Sequence, residues 1–312
     1  MGGTLDSLPF IDGPAIAERV SMRAAIDAIG RVLRAGHDPD ADPPRGVVDV
    51  SHGQLLLMPS ELGGWVGQKL ATVAPGNPAR GLERIQALYV LIDAETLAPV
   101  ALLDGTELTS LRTPAVSAAA LEVVAAPDAA SLVVFGTGPQ GVRHVEAMRA
   151  IRPIDRVRFV GRDPDRARRA VAGAAGPGLD VAVGTTADVA DADLVVCATT
   201  ARDPLFDGAL VPDHAAIVAV GSHEPAAREL PGDLLGRADV IVESTRVALR
   251  EAGDVILAIG EGRLSADELI PMSALFDGSP VPSGRHVVVK TCGMGWQDLA
   301  IAPLALGEGS TG

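Results

Sequence analysis

Apolar positions follow helical spacing early in the chain and strand spacing later. Between residues 14 and 35 they fall at Ile16, Val20, Ala24, Ile26, Ile29, Val32 and Leu33, which predicts one amphipathic helix. Pro39, Pro43 and Pro44 then break the pattern. Short apolar runs follow at 54–58, 65–73, 85–92 and 99–103, bounded by Gly, Pro and Asn, and these predict mostly antiparallel strands. An alanine-rich stretch, 113–125, predicts a helix with Thr113 as its cap.

From Ser131 the rhythm changes to apolar strands alternating with helices. The strands fall at 131–135, 156–160, 181–184, 194–199, 217–221 and 240–244, with a late one at 286–290. Alternation of this kind predicts a parallel sheet with crossover helices. Residues from Thr291 onward lose that rhythm, and no internal repeat is visible. The expected fold is therefore α/β: a parallel-sheet domain, 119–291, inserted into a discontinuous α+β domain made of 1–118 and 292–312.

Composition narrows the classes. A chain of 312 residues exceeds one usual core, and an apolar fraction of 47% sustains a packed interior and argues against disorder. A net charge of −14 argues against a nucleic-acid partner and against an anionic membrane surface. It leaves room for small anions held by a few buried cations. Two cysteines, Cys197 and Cys292, are too few for a disulfide framework or a four-thiolate zinc site. The histidines lack metal-ligand spacing, so no metal is expected. No secretory leader and no bilayer-spanning apolar stretch are apparent, so the expectation is a soluble, cytoplasmic protein.

The sharpest local signal is Gly136-Thr137-Gly138-Pro139-Gln140-Gly141, placed directly after the apolar strand 131–135 and opening a helical run at 142–150. In that context the glycines have separate tasks. Gly136 permits the tight turn, Gly138 lets backbone N–H groups approach a pyrophosphate, and Gly141 allows close helix–strand packing. The helix N-terminus adds positive potential. The next strand ends in Gly161-Arg162-Asp163. An acid at such a strand end favours NAD by holding the ribose 2′-OH, whereas a guanidinium pairs with the 2′-phosphate. Arg162 therefore predicts a preference for NADP(H), with Asp163 leaving NAD(H) as the alternative.

Three cations stand out in the apolar, loop-bounded first region: Arg45 after Pro43-Pro44, Lys69 within Trp65–Val73, and Arg112 beside Thr113. If they converge, they suit a small carboxylate, oriented by bidentate Arg contacts. Taken singly, each also reads as a surface charge.

Together these segments resemble the ornithine cyclodeaminase/mu-crystallin family. The resemblance rests on Gly67-Gln68-Lys69-Leu70 through Pro78, on Leu108-Thr109 to Arg112-Thr113 with Ala115, Ser117 and Ala118, and on the dinucleotide turn. It rests further on Ala198-Thr199-Thr200, on Gly221-Ser222-His223-Glu224-Pro225 up to Arg228-Glu229-Leu230, and on Gln297-Asp298-Leu299-Ala300. The resemblance implies a substrate-binding and dimerisation domain built from both termini, a Rossmann domain between them, and a homodimer. It implies that Arg45, Lys69 and Arg112 bind a substrate carboxylate, with Lys69 near the reacting nitrogen. Arg112 and Thr113, the turn residues Gly136 to Gln140, Gly161 to Asp163, Ala198 to Thr200, and Gly221 with Ser222 would line the cofactor.

Members of such a family differ in reaction. Cyclodeaminases carry an Asp where this chain has His223, and a Glu where it has Leu56. Losing both carboxylates points to an NAD(P)H-dependent reductase of imines beside a carboxylate, or an amino-acid dehydrogenase in reverse, with cyclic imino acids as model substrates. Ornithine cyclodeaminase and a cofactor-dependent binding protein are the alternatives. His223 reads either as a proton carrier, since imidazole titrates near neutrality, or as a residue that only shapes the pocket.

Overall fold

A computed structural model of the chain describes residues 8–280 and 286–307. It divides into two compact units: Met1–Val32 with Ala41–Arg112 and Met294–Gly312, and Leu33–Asp40 with Thr113–Gly293. The division thus falls between Arg112 and Thr113, rather than after residue 118.

The first unit opens with strand β1 (Phe10–Ile11) and helix α1 (Gly13–Arg19), whose cap Asp12 accepts from the Ala15 N–H. The single helix expected over 14–35 is two helices. Val20 takes an extended conformation (φ −123°, ψ 100°), and α2 (Met22–Arg34) begins afresh, burying Met22, Ile26, Ile29 and Leu33. Five longer strands follow: β2 (Gly46–Val50), β3 (Gly53–Leu62), β4 (Trp65–Val73), β5 (Ile85–Asp93) and β6 (Pro99–Asp104). The sheet order is β1-β6-β5-β4-β3-β2, antiparallel except for the β1–β6 pair.

Register decides what this sheet can do. Met58, Lys69, Tyr89 and Leu103 stand opposite one another in a row across β3 to β6, and all four are buried. Lys69 therefore sits in the middle of an apolar row. On the opposite face Leu57, Leu70 and Leu88 form another cross-strand row, each left about two-fifths exposed, with Val48 and Val50 beyond it on β2.

The C-terminal helix (Gly295–Ile301) packs on β3 and β4 at very short range. A Cβ at Gly295 would lie 2.8 Å from the Pro59 carbonyl oxygen, and one at Gly67 would lie 1.8 Å from the Tyr89 hydroxyl. Neither position accepts a side chain. Helix α3 (Gly105–Val124) also starts earlier than expected. Asp104, not Thr113, serves its first turn, its Oδ1 accepting from the N–H groups of Thr106 (2.8 Å) and Glu107 (3.1 Å). Thr113 lies inside the helix.

Among the described residues the second unit holds eight parallel strands: β7 (Ser131–Phe135), β8 (Arg156–Val160), β9 (Asp180–Val183), β10 (Leu194–Cys197), β11 (Ala216–Ala219), β12 (Ala238–Val242), β13 (Ile270–Pro271) and β14 (His286–Lys290). Their order is β13-β12-β14-β11-β10-β7-β8-β9. Helices α4 (Pro139–Ile151), α5 (Pro164–Ala174), α6 (Gly232–Leu235), α7 (Thr245–Glu251) and α8 (Gly253–Gly260) belong to the same unit. Strands β7, β10, β11 and β14 are wholly buried, as continuous apolar strands of a covered parallel sheet should be. The chain winds outward in opposite directions from β7 and β10, so a crevice opens beyond their C-terminal ends, where such sheets bind ligands. Among the described residues no helix is long and apolar enough to cross a membrane.

Candidate functional site

In the first unit the site is built around a buried charge cluster. Lys69 Nζ lies 2.6 Å from Asp298 Oδ2 and donates to it; Thr109 Oγ1 is 3.4 Å away. Lys69 and Asp298 have almost no exposure. Arg112 donates from Nη1 to Gln297 Oε1 (2.9 Å), and its Nε lies 3.8 Å from Asp298 Oδ1. That Nε and that Oδ1 have no hydrogen-bond partner among the described residues. Two buried charged groups thus keep unused hydrogen-bonding capacity side by side. Arg45, half-buried just before β2, is close enough for its charge to act on Lys69.

The electrostatics follow from burial. Desolvation brings the Lys69 ammonium down to about 8; Asp298 resists this, while Arg112 and Arg45 add to it. The group is therefore poised to exchange a proton near neutrality. Tyr89, opposite Lys69 in the register, has a buried hydroxyl pushed well above its ordinary range by desolvation, then by Asp298 and Asp42. Asp42 anchors the start of the C-terminal helix, accepting from the Trp296 N–H (3.2 Å) and the Ser60 hydroxyl (3.2 Å). Leu56 lies on the same face of the sheet as Lys69, two positions along from Met58, so no carboxylate stands there.

The cofactor candidates of the second unit gather at one end of its sheet. Gly136 adopts φ +114°, and a Cβ on it would fall 2.3 Å from the Ala198 carbonyl oxygen. A Cβ on Gly141 would fall 2.1 Å from the Gly136 carbonyl oxygen, and one on Gly161 would meet the Thr137 methyl at 2.6 Å. Gly138 differs: it caps α4 without any side chain, and a Cβ there would meet nothing. An open, uncapped helix N-terminus behind a glycine turn fits the pyrophosphate of a dinucleotide. Pro139 and Gln140 form the first turn of α4, and the Gln140 carbonyl accepts from His144.

Thr199 and Gly221, after β10 and β11, are joined through the buried Glu229; Thr200 is exposed beside them. Ser222 is buried and donates to the Ala227 carbonyl. His223 is half-buried, with Nδ1 3.2 Å from the Gly221 carbonyl, which places the proton on Nδ1. Arg162 is exposed beyond β8. Asp163 is committed elsewhere: it caps α5, accepting from the N–H groups of Asp165 (2.9 Å) and Arg166 (3.1 Å).

A sequence profile of the ornithine cyclodeaminase/mu-crystallin family matches residues 13–304. The chain belongs to that family. It is 32% identical to a Δ1-pyrroline-2-carboxylate reductase of Colwellia psychrerythraea over 266 residues, 81% of this chain and 84% of the relative. The fold matches that of the Thermococcus litoralis Δ1-pyrroline-2-carboxylate reductase in complex with NADH and L-proline at a TM-score of 0.90, with 25% identity over 96% of both chains. An archaeal alanine dehydrogenase dimer with bound NAD matches at 0.88, with 25% identity over 96% of this chain and 94% of the other. This member of the family accordingly takes a nicotinamide dinucleotide and acts as an oxidoreductase on CH–NH or C=N groups.

Asp298 is the residue that sequence reasoning undervalued. Its signals were a place in the Gln297-Asp298-Leu299-Ala300 motif of the resemblance and its standing as the one charged residue of Gly295–Ile301. Gln297 and Thr109 were signalled only as part of the motifs that carry the family resemblance, and Tyr89 gave no signal.

Proposed function

We propose that this protein is an NAD(P)H-dependent reductase of a C=N bond beside a carboxylate, with cyclic imino acids such as Δ1-pyrroline-2-carboxylate or Δ1-piperideine-2-carboxylate as substrates. The observation that carries the reading is the buried Lys69–Asp298 pair beside Arg112 and Arg45. Three cations against one carboxylate leave excess positive charge in a dry place, which suits a substrate anion. Arg45 and Arg112 orient the carboxylate, and the imine nitrogen then faces Lys69 Nζ. Reduced nicotinamide, when bound, supplies the hydride to the imine carbon. Lys69 delivers one proton to the nitrogen, becoming neutral, and Asp298 holds the amine in place for reprotonation. His223, with Nδ1 3.2 Å from the Gly221 carbonyl, either carries a proton through Nε2 or only shapes the pocket.

The cofactor rests on Gly136 to Gln140, with Gly161, Ala198, Thr200 and Ser222 along its length and Thr113 at the edge of the same unit. NADP(H) is the preferred form, because Asp163 is spent on capping α5 while Arg162 stands exposed next to it. The protein works as a homodimer, in which the apolar row Leu57–Leu70–Leu88 with Val48 is covered by a second copy. A cytoplasmic location accords with Cys197 and Cys292 not being joined in a disulfide.

The test is the fall in reduced-nicotinamide absorbance with NADPH and a panel of cyclic and acyclic imino acids, run beside ornithine with NAD⁺. Turnover of a cyclic imine that disappears in Lys69→Ala is expected. Ammonia released from ornithine with no net change in cofactor would overturn the reading in favour of a cyclodeaminase.

A further inference from the structure

We propose that Glu229 is a positioning residue of the dinucleotide site, its carboxylate tying the loop after β10 to the loop after β11 and fixing the surface on which the nicotinamide half of the cofactor lies. The inference rests on the dinucleotide reading of the second unit. Glu229 Oε1 accepts from the Thr199 N–H (2.7 Å) and the Thr199 hydroxyl (2.8 Å), and Oε2 accepts from the Gly221 N–H (2.7 Å). Two of these three partners are backbone N–H groups, which can only donate, so the cradle favours the carboxylate. The approach is close: a Cβ on Gly221 would lie 2.0 Å from the Thr199 carbonyl oxygen and 2.6 Å from Glu229 Oε1.

The brace is itself anchored. The N–H groups of Glu229 and Leu230 donate to Asp254 Oδ1 (2.7 and 2.8 Å), and Asp254 Oδ2 lies 3.2 Å from Lys290 Nζ. Lys290 also donates to the Ala219 carbonyl, the last residue of β11. Glu229, Asp254 and Lys290 are almost wholly buried. Burial pushes the Glu229 carboxyl up, against Lys290. The Lys290 ammonium is nevertheless raised, because Asp254, Cys292 and Glu229 outweigh its own desolvation. Two buried carboxylates sharing one ammonium form an expensive arrangement, and it stands at the C-terminal ends of β10 and β11, on the crevice side of the sheet. A hydrophobic residue would hold a core together at lower cost; it could not fix two backbone N–H groups in one geometry.

Calorimetric titration with NADPH, together with amide hydrogen exchange, tests the proposal on Glu229→Gln and Thr199→Val. In Glu229→Gln the side-chain amide keeps the size but turns an NH₂ toward one of the donors. The expected result is a cofactor Kd raised about tenfold or more. Amides of Thr199 and Gly221 should exchange faster, with those of β7 unchanged. Thr199→Val, which removes one donor of three, should raise Kd by a smaller factor, and decides the matter if Glu229→Gln does not fold. Unchanged Kd in whichever variants fold overturns the proposal, even with faster exchange, because Glu229 would then brace the fold alone. Failure of the wild-type protein to bind NADPH or NADH would instead remove the dinucleotide reading.

Discussion

Lys69 and Asp298 stand 229 residues apart in the chain and 2.6 Å apart in space, and neither meets solvent. The lysine is thereby kept charged in a place that would otherwise neutralise it. Its active form is the ammonium, so turnover should fall as pH rises through about 8. Asp298→Asn removes the largest raising influence and leaves Arg112 and Arg45, which lower it. The alkaline limb of the kcat profile should therefore move to lower pH. A limb that stays in place would assign the proton to another donor.

Arg162→Ala should weaken NADPH about tenfold or more while leaving NADH nearly unchanged. Titrating both cofactors on both proteins checks this. Equal losses would mean that Arg162 does not read the 2′-phosphate.

The glycines of the turn should separate by role. Gly141→Ala places a methyl 2.1 Å from the Gly136 carbonyl and should cost about 1–3 kcal/mol of stability by denaturant unfolding. Gly138→Ala meets open space, so the fold should keep its unfolding midpoint while cofactor affinity drops.

His144 makes stability pH-dependent. Its ring is buried in α4, with Nδ1 2.7 Å from the Gln140 carbonyl and Nε2 2.9 Å from Ser117 Oγ. Burial lowers it from 6.5 to about 4, against the Gln140 hydrogen bond. Between those values the unfolded chain binds the proton and the folded one does not, so stability is full above 6.5 and is lost as pH falls toward about 4. The loss from this one group is about 3 kcal/mol. Urea midpoints measured across the window should fall less steeply in His144→Gln.

Leu70→Glu puts a charge in the middle of the exposed apolar row and should convert a dimer to monomers in sedimentation velocity. A monomeric wild-type protein would remove the homodimer proposal.

Much of the second unit was legible because its signals are local. The strands Ser131–Phe135, Arg156–Val160 and His286–Lys290 fall on the expected residues: the first and last carry the continuous apolar stretch of a covered parallel strand, while Arg156–Val160 alternates buried Val157 and Phe159 with less buried neighbours. The roles of Gly136 and Gly141 were readable for a similar reason: each answers to a neighbour a few residues away or on the next strand. Short strands such as β1 and β13 were invisible, having only two residues each. The start of α3 was misplaced because Asp104 and Gly105 outcompete the Thr113-Pro114 pair as an opening. The site was harder. Resemblance pointed to Arg45, Lys69 and Arg112, but nothing near Lys69 in sequence announces its counter-ion. The capping duty of Asp163 did have a signal, an Asp directly before the Pro that opens α5, but the cofactor reading of that strand end overshadowed it.

The discontinuity of the first unit has a consequence for how the protein comes into being. A ribosome working from the N-terminus makes Lys69 early and Asp298 late, with Thr113–Gly293, all of the second unit except Leu33–Asp40, between them. At ordinary translation speeds the lysine waits on the order of ten to fifty seconds for its carboxylate. Until then β4 carries a charge that its apolar row cannot bury. The nascent first unit must remain open while the second is completed, and the chemistry becomes available only when the last helix docks.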